Sequence, residues 1–102
     1  GQPQTQLSIL TGVIDYGLTV QQAIALPRWL YGRTWGDASD TLKIEHRSYE
    51  DISSRLEAYG HAVEAVRDYD ALMGEAQGIH ISEDGTFSGA ADPRSDGIAI
   101  GI

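Results

Sequence analysis

Apolar and polar residues recur along the chain with two different periods, which divide it into helices and strands. Over residues 5–16 the apolar positions Leu7, Leu10 and Ile14 have helical spacing, and Gly17 follows where a left-handed residue would end a helix. Thr19 and Gln22 form a capping box for a second short helix, which ends at Pro27. The first quarter of the chain is therefore predicted to be two helices.

Residues 41–47 alternate with the two-residue period of a strand that has one solvated face. The predicted packed face holds Leu42, Ile44 and His46, and the predicted solvated face holds Lys43, Glu45 and Arg47. A histidine on an apolar face favours a packed side chain over a catalytic base, so we expect His46 to be packed. Residues 28–31 are predicted to be an irregular exit from the second helix, and residues 32–40 a loop.

The second half of the chain predicts one more helix and several short strands. The helix begins at Ser48, with Asp51 three residues later, and ends at Gly60. Asp84-Gly85 favours the primed turn of a hairpin. The predicted strands cover residues 62–66, 77–82, 86–89 and 98–102. This order gives a mixed α/β (α+β) fold in which the first helices cover one face of a largely antiparallel sheet.

Charge and composition exclude several classes of protein. The 102 residues hold 7 basic and 15 acidic side chains, a formal charge of −8, which opposes binding to nucleic acid or to an anionic membrane surface. The absence of cysteine removes thiolate nucleophiles and cysteine-based zinc sites. No apolar run approaches the ~20 residues of a membrane span.

The chain carries no complete catalytic or metal-binding motif. A Gly-x-Ser-x-Gly elbow and a phosphate loop are both missing from the sequence. The histidines (His46, His61, His80) are scattered, and the acidic pairs Asp68/Asp70 and Asp92/Asp96 do not fit a calcium loop. We therefore predict no catalytic, cofactor-binding or metal-ligating residue within these 102 positions.

Two arginines stand out by their surroundings. Arg28 lies between Pro27 and Trp29, and Arg94 lies between Asp92 and Asp96. A guanidinium can hold carboxylates by bidentate hydrogen bonds and so fix a loop. We predict structural roles for Arg28, Arg94, Asp92 and Asp96, with Arg94 buried and paired to Asp92, Asp96 or backbone carbonyls. The alternative is that an arginine recognises a carboxylate of a substrate.

Several motifs, in the same order, resemble the γ-glutamyltranspeptidase family over nearly the whole chain. The closing Asp92-Pro93-Arg94-Ser95-Asp96-Gly97 is the most specific of them, and Leu26 departs from the alanine that is usual before Pro-Arg. The other motifs are Gly1-Gln2-Pro3-Gln4-Thr5-Gln6, Ile14-Asp15-Tyr16-Gly17, Pro27-Arg28-Trp29, Gly60-His61, Met73-Gly74-Glu75-Ala76-Gln77-Gly78-Ile79 and Gly89-Ala90-Ala91.

The resemblance implies an N-terminal-nucleophile hydrolase with an αββα sandwich, made as a precursor that cuts itself into a large and a small subunit. In such enzymes the nucleophile is the threonine at the new N-terminus, its own α-amine is the base, and two glycine N–H groups stabilise the oxyanion. The acyl-enzyme passes a γ-glutamyl group to water or to an amino acid. No cofactor is implied.

Residue 1 is glycine, and the catalytic threonine and glycine pair of the family lie upstream of the motif that resembles Gly1-Gln2-Pro3-Gln4. Residues 1–102 are thus expected to be a C-terminal segment of the small subunit, incomplete as a domain, whose partners are the large subunit, the upstream part of the small subunit and a γ-glutamyl substrate. A start without methionine indicates a processing site or a boundary within a longer chain. The alternatives are an acylase for other amides and a non-catalytic interaction module. The compartment stays open between cytoplasm and export.

Overall fold

The computed structural model describes residues 2–32 and 40–102, so most of the predicted loop over residues 32–40 lies outside the described residues. Helices alternate with short strands along the chain. The helices are α1 (Gln2–Ile14), α2 (Val20–Ala25) and α3 (His46–Ala58), with a 3₁₀ turn at Ala71–Met73. The strands are β1 (Trp29–Tyr31), β2 (Leu42–Glu45), β3 (Val63–Val66), β4 (Gln77–Ile81) and β5 (Phe87–Ala91).

The helix α1 begins at Gln2, before the predicted residue 5, and ends at Ile14, before the predicted residue 16, whereas α2 begins and ends where the sequence indicates. Gly17 has a φ of +67°, the left-handed conformation that lets the chain leave α1. The Thr19 side chain accepts from the N–H of Gln22, whose side chain accepts in turn from the N–H of Thr19, so the predicted capping box is confirmed. The helix α2 ends at Ala25, and its C-cap Leu26 directly precedes Pro27.

Strands β1, β2 and β3 form one sheet in that order. β1 is antiparallel to β2, and β2 is parallel to β3, with α3 as the crossover between the parallel strands. Residues 29–31 are a strand rather than the predicted irregular exit, because their backbone finds a partner in β2. A three-residue strand has too little alternation to be visible in a single sequence.

Strands β4 and β5 form the predicted hairpin, which is separate from the first sheet. The helix α2 covers one face of it, and a Cβ placed on Gly78 would lie 2.8 Å from a methyl group of Val20. Ala90, on the same face as Gly78, is buried there. Glycine at position 78 therefore permits the close approach of helix and hairpin.

The prediction that one face of β2 is solvated is wrong. Lys43 and Glu45 are buried, while His46 is exposed and begins α3 rather than continuing the strand. Charged side chains on alternate positions normally face water, but here they have hydrogen-bond partners within the chain: the Lys43 ammonium donates to the carbonyl of Gly32 at 2.9 Å.

The predicted strand over residues 98–102 is also wrong for this chain, since none of these residues belongs to a strand. The tail lies over the hairpin face opposite α2, where Ala99 approaches Gly89. Ile98 and Ile100 remain 78% and 77% exposed. The apolar residues on the outer side of α1, among them Leu7 and Ile14, are exposed as well. Large apolar surfaces of the chain are thus uncovered.

Candidate functional site: a buried cluster of arginines and carboxylates

Four charged side chains meet in the interior, where α2, the end of β2 and the turn after β5 converge: Arg28, Glu45, Asp92 and Arg94. All four are buried, and the Glu45, Asp92 and Arg94 side chains are 0% exposed. Among the described residues the buried set holds six hydrophobic side chains and five charged ones, so charge makes up an unusually large part of this core.

Arg94 uses all five of its N–H donors. Its Nε donates to Glu45 Oε2 at 2.8 Å and its Nη2 to Glu45 Oε1 at 2.5 Å, which makes a bidentate pair. Nη1 donates to Asp92 Oδ1 at 3.0 Å. The two remaining donors bind the carbonyls of Ile24 and Leu26, at 2.9 and 2.8 Å. Arg94 therefore satisfies two of the carbonyls at the end of α2.

Asp92 joins three separate segments. Its Oδ2 lies 2.7 Å from Arg28 Nη2 and accepts the N–H of Ala76 at 2.8 Å. Its Oδ1 accepts the N–H of Arg94 at 3.0 Å as well as the guanidinium. The carboxylate thus fixes both its own turn and the loop that leads into β4.

Arg28 closes the network on the other side. Its backbone N–H donates to Glu45 Oε1 at 2.9 Å, and its Nη1 binds the carbonyls of Met73 and Gly74 at 3.3 Å. Nη2 donates to the carbonyl of Ile24 at 3.1 Å. Of the three side-chain nitrogens of Arg28, Nε has no hydrogen-bond partner among the described residues. Arg28 and Arg94 therefore clamp the end of α2 from two directions.

Arg47 and Tyr69 cover the cluster on the solvent side. Arg47 Nη2 donates to Glu45 Oε1 at 3.0 Å, and the guanidinium lies 3.9 Å from the centre of the Tyr69 ring. The same ring lies 5.6 Å from the Arg94 guanidinium. Tyr69 has a φ of +55°, which is rare for a residue with a side chain and is maintained here by these contacts.

The electrostatics of the cluster keep its members charged. Burial raises the pKa of Glu45, but hydrogen bonds from Arg94, Arg28 and Arg47 outweigh it, so the net pKa lies below the usual value. Burial is likewise outweighed at Asp92, where the N–H groups of Arg94 and Ala76 and the charge of Arg28 lower the pKa.

The pKa values of the Arg28 and Arg94 guanidiniums shift in opposite directions. Burial and the nearby charge of Arg94 lower the pKa of Arg28, against the opposing effects of Asp92 and Glu45. Burial also acts to lower the pKa of Arg94, but its bonds to Glu45 and Asp92 raise it overall. The two carboxylate partners of Arg94 thus stabilise its charged form.

The structure brings together three of the four side chains for which the sequence predicted a structural role. Arg94 is buried and bound to Asp92 as predicted, and Arg28 binds the same carboxylate. Asp96 is exposed and has no ion pair with any described residue. The sequence did not predict that Glu45 belongs to the cluster. Its alternation with Lys43 indicated a solvated position, and its partners lie 17 and 49 residues away along the chain, where no local pattern shows them.

Chemically, the cluster is suited to holding the chain together. The buried network of ion pairs and hydrogen bonds joins α2, β2, the loop before β4 and the turn after β5. Residues 2–32 and 40–102 contain no group of three histidine or acidic residues placed to bind a metal ion. No helix in these ranges is long and apolar enough to cross a membrane.

Comparison with known proteins identifies the family. The model of the γ-glutamyltranspeptidase family matches residues 1–102, and the chain belongs to this family. It is 51% identical over 102 residues to a glutathione hydrolase-like proenzyme of Bacillus subtilis. It is 46% identical over 101 residues, 99% of its length, to an oxamate amidohydrolase proenzyme of Klebsiella pneumoniae. The chain spans 19% of the length of each of these relatives.

The fold is similar to that of the transpeptidase CapD of Bacillus anthracis, with a TM-score of 0.78. The similarity covers 98% of this chain and 56% of that chain, at 22% identity. The mixed α/β fold predicted from the sequence, and the resemblance on which the expected family rested, are both confirmed.

Proposed function

We propose that residues 1–102 form the C-terminal part of the small subunit of a γ-glutamyltransferase-like enzyme. The observation that carries the proposal is the family match across all 102 residues. The buried cluster supports it, because it joins the two arginine motifs that also carry the family resemblance, Pro27-Arg28 and Asp92-Pro93-Arg94.

In this proposal the enzyme cleaves γ-glutamyl amides of the glutathione class through a threonine acyl-enzyme. The threonine hydroxyl attacks the amide carbonyl and its α-amine takes the proton. The α-amine then gives this proton to the amide nitrogen, so that the C–N bond breaks, the neutral amine leaves and the ester forms. Water or an amino acid then takes the γ-glutamyl group from the ester. The nucleophile and the oxyanion donors belong to the part of the enzyme outside these residues, since Gly1 has no side chain and no described cluster has the required groups.

The role of the 102 residues is to support that site. The buried cluster fixes the end of α2 and the loop into β4 as one rigid unit. A rigid scaffold keeps catalytic groups of neighbouring segments within the tolerance that acyl transfer requires. The partners of the chain are accordingly the large subunit and the upstream part of the small subunit.

Two measurements on the whole protein test the proposal. Intact-mass analysis is expected to show two chains, one of them beginning with threonine and containing residues 1–102. The purified protein is expected to release amine from a γ-glutamyl anilide, whereas the 102-residue chain alone is expected to match a boiled control. Turnover by the 102-residue chain alone would refute the assignment of the nucleophile.

A second candidate activity is hydrolysis of an amide other than a γ-glutamyl amide. The 46% identity to an oxamate amidohydrolase proenzyme favours this alternative specifically. Both candidates use the same acyl-enzyme chemistry, so the test is the ratio of kcat/KM for a γ-glutamyl anilide to that for oxamate. A single unprocessed chain that is inactive on both substrates would favour the third possibility, a non-catalytic interaction module.

We also propose that the 102 residues do not form a complete domain by themselves. The exposed isoleucines of the tail and of the hairpin, together with the outer side of α1, leave more apolar surface than a stable monomer tolerates. A two-stranded hairpin is marginal without further strands or a second layer. A cooperative melt with native-like near-ultraviolet dichroism for the isolated chain would contradict this proposal.

A further inference from the structure

A groove of about 720 Å³ lies between α1 and β4. One wall includes Gln2, Thr5 and Gln6 at the start of α1, and the opposite wall includes every residue over 74–80. Successive residues of a strand point to opposite faces of its sheet. A wall made of consecutive strand residues therefore exposes the edge of β4 to the groove.

The hydrogen bonds of the hairpin show which backbone groups face that edge. Ser82 N–H donates to the carbonyl of Thr86 at 3.0 Å, one position beyond the opposed pair Ile81 and Phe87. Bonded and non-bonded pairs alternate in an antiparallel ladder. His80 and Gly78 are therefore bonded to β5. The residues that direct N–H and C=O away from β5 are Gln77, Ile79 and Ile81.

An independent contact supports this assignment of the β4 residues whose backbone groups face away from β5. Ala91 lies opposite Gln77 in the hairpin, so the same alternation directs its carbonyl away from β4. That carbonyl accepts the side-chain amide of Gln21 at 3.2 Å, outside the hairpin. The outward backbone groups of β4 have no such partner among the described residues.

The edge of β4 also lacks the features that protect a free strand edge. Its sequence, Gln-Gly-Ile-His-Ile, contains no proline and no lysine or acidic residue, and Ile79 and Ile81 are 69% and 61% exposed. The outer edge of β1 differs. There the side-chain amide of Gln4 accepts the N–H of Tyr31 at 2.7 Å and donates to its carbonyl at 3.1 Å.

The start of α1 determines what can occupy this edge. Because Gln2 lines the groove, a polypeptide that leads into α1 arrives beside β4. A strand there would lie under the same helices that cover the hairpin, since α1 packs on α2 and α2 packs on β4. A segment joined directly to α1 needs little loop entropy to reach the edge.

We infer that, in the whole protein, the segment directly preceding residue 1 is an extended strand that pairs with the open edge of β4 and widens the hairpin to three strands. The inference rests on the proposed function, in which these residues are the C-terminal part of a longer enzyme. It agrees with the length of the relatives, of which the chain spans 19%.

Hydrogen exchange in the whole protein tests the pairing. The Ile79 and Ile81 amides are expected to exchange at least about 100-fold more slowly than the turn amide of Glu83, with protection close to that of His80. The residues directly before position 1 are expected to be protected too. Fast exchange at Ile79 and Ile81 beside a protected His80 would overturn the inference, and so would fast exchange in the preceding segment.

A proline substitution distinguishes a backbone hydrogen bond at the edge of β4 from burial of the Ile79 side chain alone. Ile79→Pro removes the outward N–H, which a free edge tolerates, and Ile79→Ala is the matched control that keeps it. We expect a lower Tm for Ile79→Pro than for Ile79→Ala in the whole protein. Equal Tm values would count against the pairing.

Amide turnover measured on the same sample distinguishes the two proposals. Protected Ile79 and Ile81 amides in a protein that cleaves neither γ-glutamyl anilide nor oxamate would support the pairing and refute the proposed function. Unprotected amides in an active enzyme would refute the pairing alone.

Discussion

Arg94 and Glu45 are 49 positions apart in the chain, yet they form a bidentate ion pair in the interior, with both side chains 0% exposed. The pair closes a ring of contacts that includes Asp92 and Arg28. A buried pair of this kind adds little net stability relative to apolar residues of the same shape, but loss of one partner leaves an uncompensated charge in the interior.

Arg94→Ala is expected to destabilise the whole protein by about 3–5 kcal/mol, because Glu45 and Asp92 would lose their shared partner. The matched control is Arg55→Ala on the exposed surface of α3, which is expected to change stability by no more than about 0.5 kcal/mol. Denaturant unfolding measures both. An unchanged melt of the Arg94 variant with a sharply raised KM for a γ-glutamyl anilide would instead make Arg94 a substrate contact.

The variants Asp92→Asn and Asp96→Asn distinguish the contributions of the two acidic residues of one motif to stability. Asp92 is buried between two guanidiniums, so loss of its charge is expected to lower stability by about 3–5 kcal/mol and to reduce precursor processing. Asp96 is exposed, and its variant is expected to stay within about 0.5 kcal/mol of the parent. Thermal melts and the fraction of processed chain measure the difference; equal effects would show that the cluster is not what stabilises the turn.

The stability of the protein is expected to fall in acid through Glu45 and Asp92. Their folded-state pKa values lie below the ordinary 4.5 and 3.8, so the folded state binds fewer protons than the unfolded state in this range. The stabilisation is therefore fully present above the ordinary values and is lost as the pH falls through the folded ones. Denaturant midpoints between pH 7 and pH 2 measure the decline.

Glu45→Gln serves as the control for that acid profile. The variant cannot titrate at position 45, so we expect it to be less stable than the parent at pH 7 and to show a shallower decline below pH 4.5. Parallel profiles for parent and variant would show that the acid sensitivity arises at other carboxyl groups.

Gly78→Ala is expected to destabilise the protein by about 1–3 kcal/mol through overpacking. The new methyl group would lie 2.8 Å from Cγ2 of Val20, and a β-branched side chain in a helix has almost no alternative rotamer. Gly101→Ala, which has no described atom within 4 Å of its new methyl, is the neutral control. Adding Val20→Ala is expected to make the double variant more stable than the sum of the single effects predicts, as a double-mutant cycle would show.

The tertiary structure alone decided the burial of charge. A strand with alternating charged residues normally has one face in water, so the sequence indicated a solvated Glu45 and a packed His46. The structure reverses both positions, because the partners of Glu45 come from the turn after β5 and from the residue before β1. Such long-range partners leave no local signal in the sequence. The pairing of β1 with β2 and the absence of a strand over residues 98–102 likewise depend on contacts that the local pattern does not show.

The sequence by itself determined the features that depend on neighbours a few positions away. The capping box at Thr19, the left-handed Gly17 and the hairpin around Asp84-Gly85 all have local physical causes, and the structure has each of them where the pattern indicates. The predicted primed turn is wrong, because Glu83 and Asp84 lie at the centre of the turn and neither has a positive φ, whereas Gly85 follows it in the left-handed region. The family also followed from short motifs in order. Which of those motifs meet was a tertiary question: Arg28 and Arg94, 66 positions apart, share one carboxylate because the fold brings the end of α2 and the turn after β5 to the same point.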